Sequence, residues 1–349
     1  MSRIFKAFAV LVTTVALAMT GTAAFAETIS GGGASFMGTF QQTCAAGYSA
    51  HNVSYASSSS GTGRAQFATG AFDFGGSEDP VRPGERQRPA FYHIPVVAGP
   101  IVIAYNVQGV SALRLDNAAI GKIWRGEIKK WNDKKIQALN PGVKLPNKNI
   151  VVIYRSSNSG TTGNFSGYLT ANKVTGWTRN GVLTTANGKG APSGSLGFTS
   201  NQQVVTALKS TKNSIAYADL ADLQAQKVRT FATVKNPAGE FVAPSTATAS
   251  RFLARNNNVQ PSGLVGLQWE RKIKGAYNMV ALSYLLVPNR DNLRTLTGNM
   301  MSSSKAAAVE DYAEYLLNTC GPKQAAKLGY LPMSGKILAK ARELAELIS

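Results

Sequence analysis

Four short segments carry side chains of the kinds that hold an anion. The stretch YRSSNSGTTGNFSGYL, residues 154–169, sets Arg155 ahead of hydroxyls, an asparagine and glycines, with no acid among them. Phe165, Tyr168 and Leu169 follow at i, i+3 and i+4, which predicts a helix starting between Ser159 and Thr162. The first amides of such a helix lack intrahelical acceptors, its dipole is positive at that end, and glycine lets a ligand reach the backbone. Ser159, Gly160 and Thr161 beside Arg155 therefore suit an oxyanion; an ordinary Ser/Thr-capped helix start is the alternative reading of the same residues. ISGGGASF (29–36) and YASSSSGTGRAQF (55–67) repeat the glycine and hydroxyl chemistry, whereas DFGGSEDP (73–80) ends in two acids, Glu78 and Asp79. One such loop is an ordinary turn, but three at strand-to-helix steps point to one shared anion site.

The elements that must position these loops alternate along the chain. VSYAS, FDFGGS, HIPVVAGPIVIAYNV, NIVVIYR, SIAYADL and MVALSYLLVP read as strands, several apolar enough to be covered on both faces. Ile120, Ile123, Trp124 and Ile128 mark a helix, as do Val204, Val205 and Leu208; KIWRGEIKKWNDKK (122–135) reads as one solvated helix face, with Trp124 and Trp131 packing inward. Residues 170–200 and 232–262 read as loops. This order predicts an α/β protein with mainly parallel sheets, in which ligands gather beyond the carboxyl ends of the strands.

Arg3 and Lys6 precede an apolar run from Ala7 to Met19, and Ala24-Phe25-Ala26 supplies a cleavage pattern, so residues 1–26 read as a signal peptide and the mature chain as a soluble, exported protein. About 320 mature residues exceed one ordinary core, which predicts two lobes. Removing Arg3 and Lys6 from the formal +19 leaves +17, a balance that favours anionic partners, although the cations are scattered and no nucleic-acid stripe is evident. The two cysteines, Cys44 and Cys320, sit on the stripes Phe36-Phe40-Cys44-Tyr48 and Val309-Tyr312-Ala313-Leu316-Cys320, the second read as stopping at Gly321-Pro322. In an exported chain they predict a disulfide, with two buried thiols as the alternative.

The order of these loops resembles that of the periplasmic phosphate-binding proteins of Pst-type ABC importers. The similarity runs from about residue 29 to the C-terminal helix through GGGASF, DFGGS, IGKIWRGEIKKWNDKKIQALNP and RSSNSGT. It implies a two-lobed type II periplasmic binding protein fold, each lobe a mainly parallel sheet flanked by helices. Two crossover strands, near 101–106 and 279–287, would join lobe I (27–104 plus 279–349) to lobe II (105–278). It also implies that Ser35, Phe36, Ser60, Arg155, Ser159, Gly160 and Thr161 surround phosphate, without a metal or cofactor, and that Glu78 stands where the family has an aspartate accepting the phosphate proton. Asp79 is the possible alternative acceptor, and Ser157 occupies a position where the family often has an aspartate beside the arginine. A membrane permease would receive phosphate from a monomeric, periplasmic or extracytoplasmic protein.

Enzymatic readings find little support. His51 and His93 form no ligand-spaced cluster, His93 reads as a strand-edge residue and His51 as exposed, and neither a nucleophile elbow nor a Walker loop occurs. Three alternatives stay open: another oxyanion (sulfate, arsenate or molybdate), binding of polyanions or surfaces through the basic charge, or phosphate sensing uncoupled from transport.

Overall fold

The computed structural model describes residues 26–81 and 84–349, so the expected signal peptide lies, but for Ala26, outside the described residues. The strands are β1 (Thr28–Ala34), β2 (Asn52–Ser58), β3 (Phe74–Ser77), β4 (Phe91–Asn106), β5 (Leu113–Leu115), β6 (Val151–Arg155), β7 (Leu196–Phe198), β8 (Ser214–Asp219), β9 (Ala232–Lys235), β10 (Phe241–Val242), β11 (Val280–Pro288) and β12 (Leu331–Pro332). They form one sheet in the order β2-β1-β3-β11-β4-β8-β6-β7, with β12 also on β4, and a small sheet β10-β9-β5. β1 lies parallel to β2 and β3, and β6 parallel to β7 and β8; β11 and β4 run antiparallel through the middle.

β4 joins the two sides. Phe91–Pro100 pairs with β11, and Ile101–Asn106 pairs with β8. Residues His93 to Tyr105 are all buried, as the unbroken apolar run requires. Pro95 has no N–H to give, and the ladder slips beside it, between Ser283 and Tyr284. His93 lies within β4, opposite Leu286 of β11 on one side and bonded through its amide to the Ser262 carbonyl on the other. The residue is 4% exposed, its Nε2 accepts from the Val81 amide (3.3 Å), and burial pushes the imidazole down to about 4. His51 is half-buried, bonded to the Glu27 amide through Nδ1 and to Asp311 through Nε2.

Other local readings also need correction. ISGGGASF contributes the strand β1, not only a loop, because its glycines let neighbours press onto the backbone. At Gly33, whose φ is 128°, a Cβ would lie 2.4 Å from the Gly76 carbonyl and 2.5 Å from Gly63 Cα. Residues 122–135 are not one helix: Asn117–Trp124 ends at Arg125, Gly126 turns with φ 68°, and Lys134–Leu139 starts anew behind Asp133. The supposed loops hold β7, β9, β10 and the helices Leu183–Ala186 and Thr246–Leu253, the latter closed by a Ser245/Thr248 capping box. Helix Ser303–Tyr315 does not stop at Gly321-Pro322; it passes through a π turn, Leu316–Cys320, into helix Gly321–Leu328, whose first turn tolerates the proline. A disulfide joins Cys44 on helix Gly38–Ala46 to Cys320 across 276 residues. Among the described residues no helix is long and apolar enough to cross a membrane.

The core fixes the start of helix Gly160–Ala171. Phe165 stacks on Tyr217 (centroids 4.4 Å), and Trp124 meets Phe165 edge-on at 5.2 Å. The Tyr217 hydroxyl then contacts Thr162 Oγ1 (2.7 Å) and accepts from the Arg155 amide (3.2 Å). Truncating Phe165 to alanine would cost about 3–5 kcal/mol and release both the strand end and the helix start. Trp131 packs inward as expected, its Nε1 bonded to the Asn213 carbonyl.

Candidate functional site

The carboxyl ends of β1, β2, β3 and β6 converge, and each delivers one of the anticipated loops. Ser35 opens a 3-10 turn, Ser35–Met37, directly after β1. Ser59 caps helix Ser60–Thr69 after β2, accepting from the Thr62 amide. Ser159 caps helix Gly160–Ala171 after β6 in the same way. Both caps obey local sequence rules, with a small hydroxyl at the N-cap and glycine in the first turn.

The two helix starts meet. The Gly160 amide donates to Ser60 Oγ (3.0 Å), and the Gly61 amide donates to the Asn158 carbonyl (2.9 Å). Ser60 Oγ in turn donates to Glu78 Oε2 at 3.0 Å, while Ser283 Oγ, from the bulged part of β11, donates to Oε1 at 3.1 Å. The approach leaves no room for a side chain at position 160, where a Cβ would stand 2.3 Å from Ser60 Oγ and 2.8 Å from Glu78. Glu78 is 2% exposed. Burial pushes its carboxyl up to about 7, against the opposing pull of the two serine bonds and the Arg155 charge.

Arg155 lies at the end of β6, 1% exposed. Its Nη1 donates to Ser35 Oγ (3.0 Å) and Asn201 Oδ1 (2.7 Å); Nη2 donates to the Ser58 carbonyl (3.0 Å), Ser157 Oγ (3.1 Å) and the Thr199 carbonyl. Its buried Nε has no acceptor among the described residues. Ser157 thus serves the guanidinium as a neutral acceptor. The segment around Arg155 contains no acid, but folding brings Glu78, Asp219 and Asp222 close enough to act on its charge.

Of the anticipated residues, Ser35 and Arg155 touch, as do Ser60, Glu78 and Gly160. Thr161 joins them through Asn201, whose Nδ2 donates to Thr161 Oγ1 (3.2 Å). Ser159 sits at the helix start, its hydroxyl engaged in the cap. Phe36 contributes backbone to the turn, while its ring packs on Tyr330 and its carbonyl accepts the Tyr330 hydroxyl (2.6 Å). Asp79 lies apart from Arg155, held by Arg179 (3.1 Å) and set against Gly163. Sequence reasoning missed Asn201, Ser283 and Asn164, whose Nδ2 holds the Glu78 carbonyl (2.8 Å). Ser283 did carry a signal, as a hydroxyl amid the apolar run of β11. Asn201 follows Ser200 at an ordinary helix start, and nothing in its neighbours separates it from a routine cap.

The Glu78 carboxyl at this convergence is served by the hydroxyls of Ser60 and Ser283 rather than by a cation. Among the described residues no cluster of His, Cys, Asp or Glu could hold a metal ion. The PBP superfamily domain matches residues 18–319. The phosphate-binding protein PstS of Haemophilus influenzae is 30% identical over 334 residues, 91% of this chain and 93% of that protein. Phosphate-binding protein PstS 3 of Mycobacterium leprae is 35% identical over 225 residues, a match covering 63% of this chain but only 58% of that protein. In fold the chain is similar to a high-affinity periplasmic phosphate-binding protein, PfluDING, solved with phosphate bound (TM-score 0.71, 20% identity, 90% of this chain and 93% of that one). A phosphate-binding protein from Stenotrophomonas maltophilia matches with TM-score 0.67 and 17% identity over 90% of this chain and 93% of its own. The fold is that of the type II periplasmic binding proteins, and the chain belongs to the PBP superfamily, within the family of PstS phosphate-binding proteins.

Proposed function

We propose that this protein captures inorganic phosphate in a cleft between two lobes, outside the cytoplasm, and hands it to the membrane permease of an ABC importer. It acts as a monomeric carrier, not an enzyme. Lobe I comprises residues 27–104 and 279–349, and lobe II residues 105–278, a division supported by β4 and β11 passing through the middle of the sheet. Closure brings the donors of both lobes onto one ion, so phosphate favours the closed form.

The observation that carries this reading is the meeting of Ser60, the Gly160 amide and buried Glu78 beside an arginine with an unengaged Nε. Arg155, the amides at Ser35, Phe36, Gly160 and Thr161, and the hydroxyls of Ser35, Ser60, Ser159 and Thr161 supply directed donors to the oxygens of a dehydrated tetrahedral ion. Glu78 performs the remaining step. Phosphate at neutral pH retains at least one proton, which it donates in a hydrogen bond to the Glu78 carboxylate; sulfate brings no proton and meets a lone pair. A site built around a ligand hydroxyl rejects analogues without it by about 10⁴-fold or more.

Calorimetric titration of the mature protein with phosphate, arsenate and sulfate tests this. Phosphate and arsenate, both protonated, are expected to bind, and sulfate to fail at comparable concentration. Equal competition by sulfate would overturn the role of Glu78. Binding that collapses between low and moderate salt would favour a surface polyanion site instead, since an enclosed ion is little screened.

A further inference from the structure

Arg155 is buried, yet every one of its five acceptors is neutral: two serine hydroxyls, two carbonyls and the Asn201 amide oxygen. A guanidinium taken out of water without a carboxylate against it is costly, and burial lowers its pKa to about 10. The compensating charge stands one residue further back. Asn201, 0% exposed, turns Oδ1 to Arg155 Nη1 at 2.7 Å and donates from Nδ2 to Asp219 Oδ2 at 2.8 Å. Asp219, also 0% exposed at the end of β8, accepts the Asp222 amide on its other oxygen and so caps helix Leu220–Ala225. Beside it, Asp222 Oδ1 accepts from Thr39 Oγ1 and Gln202 Nε2, while its buried Oδ2 receives no donor among the described residues. Burial pushes both carboxyls upward, and Asp219 beside it adds to the rise at Asp222; Asp219 receives an N–H donor on each oxygen, as an ionised carboxylate does, whereas Asp222 Oδ2 receives none among the described residues.

An ionised carboxylate can only accept, and this fixes which way the Asn201 amide points. With the amide reversed, its NH₂ would face a guanidinium and its oxygen would face a carboxylate, so both contacts would turn repulsive. The Asn201 backbone amide also donates to Ser35 Oγ (2.9 Å), the hydroxyl that Arg155 itself contacts, so the same residue sets two of the groups around the cleft.

We propose that Asn201 and Asp219 form a positioning relay for Arg155: the Asp219 carboxylate orients the Asn201 amide, and the amide oxygen holds the guanidinium and offsets its charge without the direct ion pair that would compete with an anionic ligand. The relay rests on the phosphate reading of the site.

The test titrates inorganic phosphate calorimetrically into the mature wild-type protein, Asn201→Ala, Asp219→Asn and the double variant, and records the Arg155 guanidinium signals by ¹⁵N NMR without ligand. Asn201→Ala is expected to weaken phosphate binding about tenfold, the size of one charge-assisted hydrogen bond. The double variant should be no more than about threefold worse than Asn201→Ala, because both changes remove one coupled unit. Resolved, slowly exchanging Nη protons in the wild type should collapse in both single variants, which loss of general stability would not produce. Multiplying losses, unchanged affinity in Asn201→Ala, or guanidinium signals that stay sharp would overturn the relay. Should Asp219→Asn not fold, the milder Asn201→Ser with the NMR readout decides. A wild type that binds no phosphate breaks the underlying reading, whereas a wild type that binds while the variants behave like it breaks only the relay.

Discussion

Charges where the loops converge and charges around that convergence are handled in opposite ways. Glu78 and Arg155 are nearly inaccessible and, among the described residues, neither enters an ion pair; hydroxyls, carbonyls and an amide serve them. At the margin, Asp79 pairs with Arg179, Arg64 with Glu85 and Asp73 with Lys305, each at 2.9–3.1 Å. Glu78 and Asp79 are neighbours in sequence, so the difference is not one of composition. Marginal pairs neutralise themselves and retain partial access to water, where such pairs contribute little. Where the loops converge, Glu78 and Arg155 stand apart in a buried setting, in which the proposed ligand would bring the complementary group to each.

The largest effect that would break this contrast is expected from Glu78→Gln. The ratio of phosphate to sulfate affinity should fall by about 10² or more, because the amide can donate to sulfate and no longer tests for a proton. The same variant probes the cost of the buried acid. The folded value of about 7 lies above the ordinary 4.5, so ionisation penalises the fold: stability is untouched below about 4.5, is lost as pH rises to about 7, and falls no further. Ligand-free Glu78→Gln should therefore gain on the order of 3 kcal/mol over wild type at pH 8 but not at pH 4.5, read from urea denaturation.

Arg155→Ala comes next, with a loss of about 3 kcal/mol in phosphate binding, roughly a hundredfold in Kd. Gly160→Ala sharpens the geometry: the added methyl meets Ser60 Oγ at 2.3 Å, so phosphate affinity should drop about tenfold although alanine favours the helix. Asp79→Asn should do least. The Asp79 carboxyl is buried but turned to Arg179, away from Ser60 and Arg155, so the phosphate-to-sulfate ratio is expected to stay within about threefold of wild type. A collapse of selectivity in that variant would move the proton acceptor from Glu78 to its neighbour.

Much of the site was legible because its chemistry is local. Glycine and hydroxyl clusters at strand ends, a serine cap before Gly160 and the apolar rhythm after it depend on residues within one turn. The long strands were legible for a related reason, since a segment buried on both faces has to be apolar throughout. What failed were inferences from average residue preferences. ISGGG reads as a turn because glycine usually turns, yet here Gly31 to Gly33 form a strand into which neighbouring rings and backbone fit. The segment 122–135 has a helical pattern, but Gly126 in the left-handed region breaks it. Pro322 reads as a stop, but the helical backbone runs on through it by way of the π turn Leu316–Cys320.

By itself the sequence determined the alternation of strand and helix and the placing of glycine and hydroxyl loops after β1, β2 and β6, since these follow from neighbours along the chain. Only the tertiary structure decided which of two adjacent acids reaches the Ser60 hydroxyl, that Ser283 holds it from the far side, and that Arg155 leans on Asn201 rather than on a carboxylate. Those outcomes depend on contacts between residues 18 to 205 positions apart, whose burial and charge exist only once the sheet has assembled.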